Sequence, residues 1–260
     1  LHFQWMPPFI VGSEVANVTS RLADALKFSG LISLSYGAFC FLLPHTPPKR
    51  NAVEKLAFKK AFELFKEASF TILVVASLAV SIIHQIYFLQ TGPFLSHIGI
   101  LDSQIGPAMT IGQFAEIITM AYLGFFLKRL GFHKVISIGI AAYCVRYAIF
   151  GTESFPVWVM VISQAFHGFC YAFFFAAAYI YVDKIADEDV RHSAQTVFGI
   201  IILGGGPVIG GWLSGYLQNV YTVNGIFDYS AFWYILSMIG LATTLFFYFL
   251  FQNQLKSNTI

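Results

Sequence analysis

The chain has 260 residues, 57% of them hydrophobic and only 11% charged, with a formal net charge of +2. Soluble domains carry about 25% charged residues, so this composition cannot supply the polar shell of a soluble fold and fits lipid as its solvent. So small a net charge gives no basis for nucleic-acid binding, and the three cysteines, Cys40, Cys144 and Cys170, lie in apolar runs that suggest neither a disulfide framework nor a metal centre.

In chain order, residues 1–12 are apolar but short, like the tail of an earlier helix, and LHFQWMPPF has no basic stretch of the kind that opens a signal peptide. Apolar runs of about 20 residues can cross a bilayer. Seven are predicted, at 25–43, 69–92, 104–127, 133–151, 156–182, 194–218 and 229–252. Pro44, Pro47 and Pro48 end the first. Residues 1–43 then read as the end of a preceding half. In the connection 44–68, Val53, Leu56, Phe62 and Phe65 recur at roughly helical spacing among lysines. That segment is either an amphipathic helix on the inner membrane surface or a solvated linker. Residues 69–252 hold six spans with short loops, divisible as three plus three of opposite topology, as in inverted-repeat transporters. Residues 253–260 form a tail. The expected fold is an all-α membrane protein, a bundle of seven transmembrane helices.

Basic residues mark the sides. The segments 44–68, 128–134 and 183–193 and the tail hold twelve of the fifteen Lys and Arg, while 93–103, 152–155 and 219–228 hold none. The rich side is cytoplasmic by the positive-inside rule, which puts the linker and the C-terminus there.

Glu116 stands alone in TIGQFAEIITM, 14 residues after Asp102 and 12 before Lys128. Intramembrane ionisable residues are functional candidates by default. Gln113 lies one turn earlier on the same face, and Gly106, Met109, Gly112 and Met120 fall near it. A carboxyl whose charge depends on its surroundings can couple proton binding to conformation. The plainer reading is a protonated Glu bonded to a neighbouring helix. Arg146, in AAYCVRYAIF, is the partner by charge, but it sits about 7 residues, roughly 10 Å, shallower along its own helix. It is either a cavity residue that reaches inward to Glu116 or meets it through solute or water, or an arginine snorkelling to the outer interface. His167, central in its span, is either a proton relay or a neutral packed histidine. Of the adjacent His84 and Gln85, only one can readily face a cavity. The run GGGPVIGGWLSG, 204–215, is not a phosphate loop, because GK[ST] is missing. The spacings Gly206–Gly210 and Gly211–Gly215 suit close helix packing, and Pro207 permits a bend. No zinc spacing, HExxH, nucleophile elbow or dinucleotide fingerprint occurs in the sequence, so no enzyme is indicated and no cofactor is expected.

These stretches resemble the nucleoside:proton symporters of the major facilitator superfamily, over nearly the whole chain, aligned to helices six through twelve. The resemblance rests on IGQFAEI, VRYAIFG, VDKIADEDVRHSAQ and YTVNGIFDYSAFW. The turn KRLGFHK is similar to the superfamily's inner-loop motif, with Lys128 where an Asp is usual. The resemblance implies a major facilitator-type bundle with a solute site at Gln85, Gln113, Glu116, Arg146 and Tyr171, and with Glu116 or a neighbour such as His167 exchanging the proton. It also favours Gln85 over His84. Where the family has an acid after the tenth-helix aromatic this chain has Ala172, and where it has an amide three residues after the seventh-helix Gln this chain has Phe88. Both changes remove a polar contact and leave a less polar solute open.

The implied function is secondary active, proton-coupled uptake of a polar small solute, a nucleoside first, by alternating access in the cell membrane. The expected partners are the solute, protons, the lipid bilayer and an N-terminal half of the same transporter. The rivals are an uncoupled facilitator, a carrier of a sugar-like solute, a non-transporting receptor or scaffold, and an intramembrane enzyme.

Overall fold

The computed structural model describes residues 18–44, 57–188 and 190–252. Seven helices carry the description: α1 (Val18–Cys40), α2 (Ala57–Glu63), α3 (Ala68–His97), α4 (Asp102–Gly151), α5 (Val157–Ile185), α6 (Arg191–Val220) and α7 (Tyr229–Leu250). Residues 1–12, Val53, Leu56 and the tail 253–260, on which expectations were placed, lie outside the described residues.

The described chain forms two compact units, α1 with Leu101–Gln104 and everything else. In the first, Leu26, Leu31, Leu34, Tyr36 and Phe39 of α1 are exposed, and Lys27 pairs with Asp24 at 3.0 Å, one turn away. In the second, α3 to α7 are the five helices among the described residues that are long and apolar enough to cross a membrane. The span expected at 25–43 falls on α1, which is not among the five.

The spans expected at 104–127 and 133–151 both lie in α4. At about 1.5 Å per residue a fifty-residue helix would be some 75 Å long, over twice the roughly 30 Å of a hydrocarbon core. It is broken at Gly131, whose φ of +76° and ψ of 167° are non-helical. That backbone is open to glycine and costly for other residues, so the chain turns within the 128–134 segment that the basic residues had marked. Between α6 and α7 the chain turns through a hairpin, pairing Thr222 with Phe227 and Val223 with Ile226. Asn224 (φ 54°) and Gly225 (φ 79°) occupy its tip, the Asn-Gly pair that a two-residue turn with positive φ at both positions favours. Asp228 then caps α7, its Oδ1 accepting from the Ala231 amide at 2.9 Å.

The core is aromatic, built around Phe70, Phe94, Tyr143, Tyr147, Phe150, Phe174 and Trp233, all fully buried. α3 runs through it and packs along α6 and α7. The first small-residue pair behaves as its spacing suggests: a Cβ on Gly210 would lie 2.8 Å from the Ile82 carbonyl oxygen, and Gly206 abuts Ser81. The second does not, for Gly211 and Gly215 face open space. Beside the first pair, Ile200–Gly205 widens into a π-helical stretch, and Ser81 Oγ donates to the Ile202 carbonyl. α5 widens likewise over Phe169–Ala176. Such bulges free carbonyls and recur at functional sites. α2 packs on the start of α6 with Ala61 fully buried, while Phe62 is exposed. Around the outside Leu203, Val208, Trp212, Leu241, Leu245 and Phe249 stay exposed, an apolar surface far larger than a water-facing monomer tolerates.

Gly139 tests the packing. A Cβ there would lie 2.6 Å from the Phe174 amide nitrogen and 2.8 Å from the Phe173 carbonyl carbon. Gly139→Ala should therefore lower stability in detergent by about 1–3 kcal/mol. Gly124→Ala, on an open face, should be neutral or gain about 0.5–1 kcal/mol from reduced backbone freedom. Melting curves of both variants check the opposite signs.

Candidate functional site

Four helical segments converge on one side chain, Arg146. α3 presents His84, Tyr87 and Phe88, a set spaced three and four residues apart and so on one face. The second half of α4 presents Tyr143, Arg146 and Tyr147 by the same spacing. α5 contributes Gln164, His167 and Tyr171, and the first half of α4 contributes Glu116. The close approach of that first half to α5 depends on two glycines. A Cβ on Gly112 would meet His167 Cβ at 3.0 Å and the Gln164 carbonyl oxygen at 3.1 Å, and Gly168 abuts Ala115 and Thr119. Glu116 lies one turn beyond Gly112, so this contact brings its carboxylate to α5.

Arg146 is fully buried. Its Cζ stands 3.9 Å from the centroid of the Tyr87 ring, 5.3 Å from that of Tyr147 and 5.5 Å from that of Tyr143. Ring faces are negative and attract a desolvated cation by about 2 kcal/mol or more. The Nη1 atom lies 3.2 Å from His167 Nδ1, while among the described residues Nε and Nη2 have no hydrogen-bond partner. Among the described residues no carboxylate pairs with Arg146 directly. The nearest link is indirect: His167 Nε2 lies 3.7 Å from Glu116 Oε2. That exceeds a direct hydrogen bond. His167 is buried, whereas the Glu116 side chain is 23% exposed. The series Glu116–His167–Arg146 thus runs from an open end to a dry one.

Further contacts fix the parts. The Tyr87 hydroxyl donates to Gln164 Oε1 at 2.8 Å, and the Tyr147 hydroxyl donates to the Ile83 carbonyl at 2.8 Å. Tyr143 and His84 share a hydrogen bond of 2.8 Å between hydroxyl and Nδ1. The His84 ring lies nearly parallel to that of His167, 5.6 Å away. Phe88, exposed, meets His167 edge-on at 5.9 Å. Tyr171, also exposed, lies 6.4 Å from it. Two exposed aromatic rings therefore flank His167, the middle member of the series.

The structure brings Glu116, His167, Arg146 and Tyr171 together. His167 fills the gap of about 10 Å that helix depth alone leaves between Glu116 and Arg146. Gln113 is exposed on α4 one turn before Glu116. Gln85 instead lies against α6, where a Cβ on Gly210 would lie 2.9 Å from its Cβ; it is His84 that enters the cluster. Sequence reasoning missed Tyr87, Tyr143, Tyr147 and Gln164. The available signal was the pair of tyrosines flanking Arg146 at helical spacing, since a buried guanidinium needs ring faces or acceptors around it.

A family model described as nucleoside H+ symporter matches residues 8–256. The chain is 30% identical to the putative nucleoside transporter YegT of Escherichia coli (strain K12), covering 84% of this chain and 54% of that protein. It is 28% identical to the nucleoside permease NupG of the same organism, over 94% of this chain and 60% of the permease. To the xanthosine permease of that organism it is 27% identical, over 85% and 56%. A crystal structure of a NupG mutant superposes with a TM-score of 0.74 at 28% identity, over 90% of this chain and 60% of that one. A second NupG structure gives 0.71 at 26% identity, over 91% and 60%. The chain spans between half and two thirds of the length of each.

Tyr87 separates ring from hydroxyl. Tyr87→Phe keeps the face under Arg146 and loses only the bond to Gln164. Tyr87→Leu loses both and should be less stable than Tyr87→Phe by about 2 kcal/mol. Thermal unfolding in detergent measures the gap.

Proposed function

The chain belongs to the nucleoside H+ symporter family, and from that premise we propose that it serves proton-coupled uptake of a nucleoside by alternating access. Its five long apolar helices and its family make it an integral multi-pass membrane protein. The finer topology is proposed as well: seven crossings, counting α1 and the two halves of α4, with 1–43 ending one half, 44–68 linking and 69–252 forming a six-helix half. The linker and tail then lie on the cytoplasmic side, as their basic residues suggest. A second helical half facing Glu116 and Tyr171 completes the cavity, a reading supported by the greater length of the relatives. The relatives named above are permeases and a transporter, and we propose carriage without chemical conversion.

One observation carries the coupling: a part-exposed carboxylate at mid-helix, joined through one histidine to a buried arginine. In water an acid needs no such arrangement. Here the charge on Glu116 determines whether the dry guanidinium has a counter-charge within two contacts, so proton gain or loss changes how firmly α3, α4 and α5 hold together. Gln113, Glu116 and Tyr171 meet the solute, the first two by hydrogen bonds and the third by its ring. Arg146 supports them from behind and reaches solute only when its tyrosines part. The bulges in α5 and α6, with Gly206 and Pro207 beside the second, supply bending points. The exposed Phe88 ring beside His167 favours a second reading, a less polar solute in the same site.

The test is uptake of labelled uridine and xanthosine by proteoliposomes of the complete protein under an inward proton gradient. Wild type should accumulate nucleoside, and an uncoupler should abolish accumulation. Glu116→Gln should fall to the uncoupled level while still exchanging labelled for unlabelled solute. Undiminished accumulation by Glu116→Gln would overturn the coupling role, and solute binding without uptake by wild type would indicate a receptor.

A further inference from the structure

The contact between Arg146 and His167 constrains where a proton can reside. A guanidinium has five N–H donors, no acceptor, and does not deprotonate in proteins. At 3.2 Å from Arg146 Nη1, His167 Nδ1 must therefore offer its lone pair. The ring hydrogen then sits on Nε2, the atom 3.7 Å from Glu116 Oε2. A second proton on Nδ1 would set N–H against N–H and cation against cation in a buried site. The groups facing His167 are few. Glu116 and Arg146 approach from α4, His84 and Tyr87 from α3, and Tyr171 from its own helix. Among them Glu116 alone is a carboxyl, and His84 already shares its Nδ1 with Tyr143.

We propose that Arg146 is a positioning residue that holds His167 neutral, as a fixed Nε2–H donor aimed at Glu116, so that Glu116 is the protonation site while that contact stands. His167 gains a proton only when Arg146 withdraws, which makes the Arg146–His167 contact the gate between a one-site and a two-site proton acceptor. The direction matters for coupling: the histidine stabilises the ionised carboxylate and does not compete with it. This inference rests on the reading of Glu116 as the coupling acid, and it concerns what sets that acid's partner.

Nitrogen NMR of the complete protein in lipid nanodiscs, with 15N-labelled histidine, tests it. His167 is assigned by the signal lost in His167→Gln. From about pH 8 to about pH 5, where an ordinary histidine titrates, wild-type His167 should keep one tautomer, protonated at Nε2 and bare at Nδ1. Arg146→Met, close in length and apolar, should release it, giving mixed tautomers and a protonated ring toward the acid end. Arg146→Lys, also a donor without acceptor capacity, should restore the wild-type signal. A wild-type ring protonated at Nδ1, or doubly protonated at neutral pH, overturns the inference, and so does an unchanged single tautomer in Arg146→Met. The spectra require no transport. A failure of Glu116→Gln to uncouple uptake would therefore overturn the functional reading while leaving this result standing.

Discussion

The fully buried guanidinium of Arg146 is the constraint on which the rest of this site depends. A charge moved out of water into protein costs several kcal/mol unless compensating groups surround it. Here those groups are ring faces from Tyr87, Tyr143 and Tyr147 and one imidazole nitrogen, drawn from α3, α4 and α5. None of the three helices could shelter the charge alone. Their meeting is in this sense prescribed by one side chain, and Gly112 and Gly168 remove the bulk that would hold the first half of α4 away.

The compensation is incomplete, and the deficit has a direction. Among the described residues Nε and Nη2 have no hydrogen-bond partner, and the one carboxylate linked to the cluster, Glu116, is reached through His167. Being part-exposed, Glu116 can exchange protons, whereas Arg146 cannot. In the proposed coupling, a change of charge at the open end acts through two contacts, Glu116–His167 and His167–Arg146, on the place where three helices meet. The π-helical stretches lie on α5, which carries His167, and on α6, which packs on α3. On the proposed reading, a solute that bonds Glu116 would compete with the proton for the same oxygen atoms, and that competition would link binding of the two.

Much of this was legible in the residues. Apolar runs marked the long helices, and the basic turn at 128–134 marked the break that Gly131 makes in α4. The isolated glutamate is the part-exposed member of the cluster around Arg146. Legibility failed where the answer depended on a neighbouring helix. His84 and Gln85 are adjacent, so periodicity along α3 alone did not decide which one turns toward α4 and α5; Gly210 on α6 accommodates Gln85 and leaves His84 to the cluster. Depth counted along two helices put Glu116 and Arg146 about 10 Å apart and invoked solute or water, because it could not see a third helix inserting His167. Gly211 and Gly215 have the spacing of a packing face, yet α6 turns them outward. Small-residue spacing states what a helix permits, and the neighbour decides whether it is used.

Infrared difference spectroscopy reads directly whether the cluster changes charge at Glu116. Acidifying the complete protein in lipid should raise a carboxylic C=O stretching band that sharpens or shifts when a nucleoside is added and is missing in Glu116→Gln. The same band persisting undiminished in Glu116→Gln would mean that the proton is taken elsewhere and that Glu116 is not the coupling acid.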